Sequence, residues 1–113
     1  MPSQKLERSQ WSAFCDRLSS ALTGKLARVE IASQSIGAQV EASWVPIVGL
    51  SYDTSGDTIS IMLEGIEHSV QHPRELYYDY GPDGIVSIGI RDETDAWQIV
   101  RLREPLMLPM PPT

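Results

Sequence analysis

A change of hydrophobic period near residue 25 constrains this chain more than any other feature. Before it, Trp11, Phe14, Cys15, Leu18 and Leu22 fall at i, i+3, i+4, i+7 and i+11, which gathers them on one face of a helix. After it, apolar residues recur at every second position: Ala27, Val29 and Ile31, then Ile36, Ala38, Val40, Ala42 and Trp44, then Ile59, Ile61 and Leu63. Side chains that alternate in this way sit on opposite faces of a strand. A helix followed only by short strands is an α+β chain.

The helix is expected over about residues 10–23, with the hydroxyl of Ser9 as N-terminal cap, an extra turn before Ser9 as an option, and Gly24 as the left-handed residue that ends it. Strands follow over about 26–103. Pro46 cannot donate to a ladder, so the apolar run Ile36–Tyr52 should bend or bulge there and continue as a second strand. Asp53–Asp57, Gly81–Gly84 and Asp92–Asp95 have the composition of turns. Loops this short join antiparallel strands, because parallel crossovers need a dozen residues or more. The pattern predicts seven or eight antiparallel strands. A sheet of that width is expected to be strongly curled, as a half-barrel or small partly open barrel, with the helical stripe laid on one face or plugging an open end.

With 113 residues the chain has the length of one domain and can bury a core without a metal or disulfide staple. Residues 1–104 read as that domain, and 105–113 as an extended proline-rich tail whose first residues fold back onto it. A net charge of −6 disfavours nucleic acid as a partner, since phosphate contacts need clustered Lys and Arg. The charge is uneven: residues 1–28 carry a net +3 and residues 29–113 a net −9. One cysteine excludes an internal disulfide and multi-cysteine metal sites. The first residues lack the apolar core of a signal peptide, and the longest apolar run, Trp44–Leu50, is too short to span a bilayer. A cytoplasmic location, no membrane contact and a monomeric state are the default expectations.

Five motifs occur in order: Trp11-Ser-Ala-Phe14 with Asp16-Arg-Leu-Ser19; Ile36-Gly-Ala-Gln-Val-Glu41; Val48-Gly-Leu-Ser-Tyr-Asp53; His68–His72 followed by Pro-Arg-Glu-Leu76; and Arg101-Leu-Arg-Glu-Pro-Leu-Met-Leu-Pro109. Together they resemble a family of small bacterial proteins catalogued as a domain of unknown function. The resemblance implies a bacterial single-domain protein. It implies no reaction, ligand or catalytic residue.

The residues themselves offer few chemical constellations. Asp53, Ser55, Asp57 and Glu64 match positions 1, 3, 5 and 12 of a calcium loop, but Thr58 stands where glycine is required and strand period replaces the flanking helices. His68 and His72 have zinc-helix spacing, yet on a strand they lie about 13 Å apart, too far to share a metal. Cys15 sits in the apolar helical stripe and lacks the electropositive setting of a reactive thiol. No G-x-S-x-G elbow, phosphate loop or dinucleotide fingerprint occurs, so no cofactor is expected.

Two readings of function remain. The first is a non-enzymatic interaction or accessory module that binds another protein. Adjacent Tyr77 and Tyr78 must point to opposite sheet faces, so one is exposed beside Glu75 and Asp79, as tyrosines of binding surfaces are. The second is a small-molecule-binding protein or weak enzyme. In that reading His68, His72, Tyr52 and Asp53 converge at the mouth of a curled sheet, with the histidines turned toward the core beside Ile66 and Val70.

Overall fold

The computed structural model describes residues 3–22, 24–35 and 37–106. Eight strands and one helix occur in the order β1 (Ser3–Leu6), α1 (Trp11–Leu22), β2 (Leu26–Ser33), β3 (Gly37–Asp53), β4 (Thr58–Leu63), β5 (Ile66–Gln71), β6 (Pro73–Gly81), β7 (Gly84–Asp92) and β8 (Trp97–Leu106). A single 3-10 turn, Arg8–Gln10, leads into α1 and contains Ser9, so the helical path begins before that residue. Gly24 does end the helix, with φ at +87°. All ladders are antiparallel, and the strand order across the sheet is β1-β6-β7-β8-β2-β3-β4-β5. No described helix is long and apolar enough to cross a membrane.

The expected strong curl toward a barrel is corrected. The sheet is open, with β1 and β5 at its two ends and no ladder between them. Strand β3 changes partner along its length. Its first half pairs with β2 as far as Pro46, and its second half pairs with β4 from Ile47. Trp44, at φ +54°, and Pro46 mark the change of partner. The chain therefore does not break into two strands there, and the eighth strand is β1, which has no apolar alternation to announce it.

The helical stripe is buried as its spacing requires. Trp11, Phe14, Cys15, Leu18 and Leu22 join one core cluster with Val29, Ile47, Leu50, Ile59, Ile61, Leu76, Tyr78, Ile88, Ile90 and Val100. Burial next to Asp16 pushes the Cys15 thiol up to about 12, which leaves it protonated and inert. Helix α1 is latched to β3 by Ser19, whose hydroxyl donates to the Leu50 carbonyl at 2.5 Å and accepts from the Leu50 N–H at 2.9 Å. That approach requires Gly49, because a Cβ there would stand 2.8 Å from Ser19 Oγ. Gly49→Ala is expected to cost about 1–3 kcal/mol by overpacking this contact. A thermal melt superimposable on the wild type would show that the helix moves away freely.

The run Ala38–Trp44 forms a strand but does not bury one apolar face. Val29 and Glu30, consecutive on β2, pair with Ala42 and Val40, so Glu41 is an extra residue and β3 bulges there. A one-residue slip moves following side chains to the other face. Ala42 consequently enters the core, while Val40 shares the solvent side with Glu30 and is 48% exposed. Ile36 lies outside the described residues. At the other end, β8 continues through Pro105 to Leu106, which is buried and pairs with Ile85. The remainder of the expected tail, 107–113, lies outside the described residues.

Candidate functional site

The sheet turns one face to α1 and the core and leaves the other open over β1, β6, β7, β8 and β2. Residues that alternate outward there are fixed by register. Ser3, Asp79, Ser87, Arg101 and Arg28 form one cross-strand row; Lys5, Tyr77, Gly89, Ile99 and Glu30 form the next; Glu75, Arg91, Trp97 and Ala32 form a third. Such rows place side chains about 5 Å apart across the strands.

At the middle of this face Gly89 leaves a gap between larger neighbours. Trp97 leans across from β8, its ring 3.5 Å from where a Cβ on Gly89 would stand, and meets Tyr77 of β6 with ring centroids 5.6 Å apart. A cleft of about 260 Å³ opens beside the two rings, bounded by Ser3, Asp79, Ser87, Ile99 and Arg101. Asp79 accepts hydrogen bonds from the hydroxyls of Ser3 and, at 2.7 Å, Ser87. Arg101 is held by Glu30, 3.0 Å from its Nε. On the opposite flank Glu75 receives Lys5, Arg91 and the Tyr77 hydroxyl at 3.1, 2.6 and 3.1 Å. The Lys5 ammonium, followed by Arg91 and Tyr77, holds the Glu75 carboxyl below its usual range. Both aromatic side chains are thus framed by charges that already have partners. Tyr78, the neighbour of Tyr77, is buried against Phe14, and Tyr77, on the opposite face, is the half-buried member of the pair.

The four residues expected to converge do so only in part. Tyr52 and His72 meet at Asp57: the Tyr52 hydroxyl donates to Asp57 Oδ1 at 2.8 Å, and His72 Nδ1 lies 3.4 Å from Oδ2. Arg8 completes the group, with Nη1 donating to Asp57 and Tyr52 and Nη2 to the Pro73 carbonyl at 2.8 Å. Its guanidinium lies 4.4 Å from the centroid of the Trp11 ring. Asp53 faces its own turn, accepting from the N–H and hydroxyl of Ser55. His68 lies apart, with Nε2 3.1 Å from Gln98 Oε1, while Gln98 Nε2 donates to Asp92. Gln98 is buried on the core side of β8, so this chain satisfies an inward polar residue. The histidines are not both turned inward. His68 is half-buried, Ile66 is exposed, and His72 lies beyond β5 at φ +52°, forming the one-residue link to β6.

The Arg8–Tyr52–Asp57–His72 group ties the start of the helix to the β3–β4 turn and the β5–β6 link. The Tyr52 hydroxyl, then His72 and Arg8, keep the Asp57 carboxyl below its usual range despite some desolvation. A carboxyl lowered by folding contributes stability that is present above the unfolded value and lost as pH falls through the folded one. Asp57→Asn should therefore lower stability near neutrality and converge with the wild type as pH falls, flattening part of the acid limb of a stability–pH curve. An unchanged acid limb would show that the group does not lock the fold. Among the described residues no three His, Cys, Asp or Glu side chains are placed to hold a metal ion together.

The sequence profile of a family of unknown function, DUF5335, matches residues 2–111. An uncharacterized protein of Aquifex aeolicus (strain VF5) is 31% identical over 110 residues, covering 96% of this chain and 99% of its own length. No solved structure matches.

Proposed function

The chain belongs to the DUF5335 family of unknown function, and from that premise we propose that it is a non-enzymatic interaction module. Its binding surface is the open face of the sheet, centred on Tyr77 and Trp97. The observation that carries this reading is the pairing of two large aromatic side chains outside the core, beside a cleft over Gly89 and inside a ring of charged groups. Tyrosine and tryptophan supply contact area at low entropic cost, and a polar rim around an aromatic centre is the usual anatomy of a protein-binding patch.

A metabolite is the second reading. The cleft, at about 260 Å³, is smaller than the roughly 300–1,000 Å³ of typical ligand pockets and suits a single inserted side chain better. Neither a thiol nor an imidazole stands at it, since Cys15 is in the core and both histidines have partners elsewhere; its hydroxyls, Ser3 and Ser87, are engaged by Asp79.

Affinity capture with three baits tests the proposal. The wild type and Val48→Ser, a change at an exposed site on β3, are expected to recover the same stoichiometric protein. Trp97→Ser is expected to lose it by about tenfold or more, the loss typical of a central aromatic anchor. Equal recovery by all three baits would remove the Tyr77–Trp97 patch from the interface. A co-purifying metabolite without protein would favour the second reading.

A further inference from the structure

The two ends of the sheet are both blunted. β1 is four residues long and carries Lys5, and β5 is six residues long with Glu67 and Gln71 exposed. Charged side chains and short length are how proteins keep exposed edges from pairing. A third edge lies within the sheet. Residues 37–45 of β3 pair with β2 on one side, and β4 begins to pair only at Ile47, so among the described residues no strand covers their other side. This edge contains neither lysine nor proline, carries its one charge, Glu41, at the bulge, and shows Ala38 and Val40 to solvent.

We propose that two copies of this chain join through this edge, β3 pairing antiparallel with the β3 of a second copy about a two-fold axis at Gln39. Three features select that occupant and that register. The segment Gly37–Val40 is regular, because the bulge begins only at Glu41. Centring on Gln39 sets Ala38 opposite Val40 twice, both on the solvent side of the sheet, and the Gln39 amides opposite one another, where each can donate and accept. Glu41 then faces Gly37, so no like charges are directly opposed. Centring on Val40 instead would set Ala38 opposite Ala42, which the bulge has turned to the core side. Centring on Glu41 would oppose the two carboxylates.

The pairing makes one continuous sheet of sixteen strands, twice the eight of each copy. An axis perpendicular to the sheet leaves both open faces, with both Tyr77–Trp97 clefts, on the same side. Each copy carries −6, so the association strengthens as salt screens the repulsion.

Sedimentation of the full chain tests the association, and engineered cysteines test the register. The mass is expected to rise from 12.6 kDa to twice that value with concentration, more readily at 0.5 M than at 0.05 M salt. Val40→Lys, at an exposed side chain, should raise the dissociation constant about tenfold or more while leaving the melting temperature intact at dilutions where both proteins are monomeric. Under mild oxidation Gln39→Cys should form a disulfide-linked dimer, since directly opposed Cα atoms lie about 5 Å apart, within disulfide reach. Glu41→Cys, about 14 Å from its counterpart, should not. Cys15 stays silent because it is buried. A monomer at millimolar concentration overturns the proposal, as do equal cross-linking of the two variants and a dimer indifferent to Val40→Lys.

Discussion

Trp11→Ala is expected to lower stability by about 3–5 kcal/mol, the range for deleting a buried aromatic side chain. The Trp11 ring is 1% exposed, stands edge-on to Tyr52 with centroids 5.2 Å apart, and carries the Arg8 guanidinium on its face. Its indole N–H donates to the Leu6 carbonyl at 3.1 Å, so truncation also strips a partner from the backbone between β1 and the helix. Urea unfolding should show a lower midpoint with an unchanged slope. A loss below about 1 kcal/mol would mean that neighbouring side chains collapse into the space, and that the start of the helix is not anchored as described.

Leu18→Ala comes next, at about 2–5 kcal/mol. Leu18 has no exposed surface and lies midway along the apolar stripe of α1, where the helix meets the core side of the sheet. The spread in the expected loss reflects how far β3 can follow the helix inward. The Ser19–Leu50 latch and the tight contact at Gly49 resist that movement and favour the upper half of the range. Val48→Ala at a 51% exposed position is the comparison, and it should change stability by less than about 0.5 kcal/mol. Similar losses from both variants would show that the stripe does not form the core.

The helix was legible because five apolar residues at helical spacing admit one burial pattern, and the structure buries all five. The strand period was equally legible in β4, whose Ile59, Ile61 and Leu63 all face the core. Local pattern failed where register with the neighbouring strand decides the face. Nothing within Gly37–Trp44 announces that Glu41 will be the extra residue against β2, yet that residue decides why Ala42 is buried and Val40 is not. β1 was missed because its alternation is carried by polar residues, and pairing with β6, more than 70 positions away, makes it a strand.

At the candidate sites the same division holds. The opposed faces of Tyr77 and Tyr78 follow from adjacency alone, but which of them enters the core depends on Phe14 stacking on Tyr78. Trp97 and Gly89 come together only through the β7–β8 register, which no motif encodes. Arg8 was passed over because it joins Asp57 from 49 positions away.

Amide hydrogen exchange of the protein, alone and saturated with its captured partner, tests the binding face most directly. Added protection is expected in β6 around Tyr77, in β7 across Ser87–Gly89 and in β8 across Trp97–Arg101, with the amides near Asp57 and His72 unchanged. Protection confined to the β3–β4 turn and the β5–β6 link, with β6 to β8 exchanging as in the free protein, would contradict it.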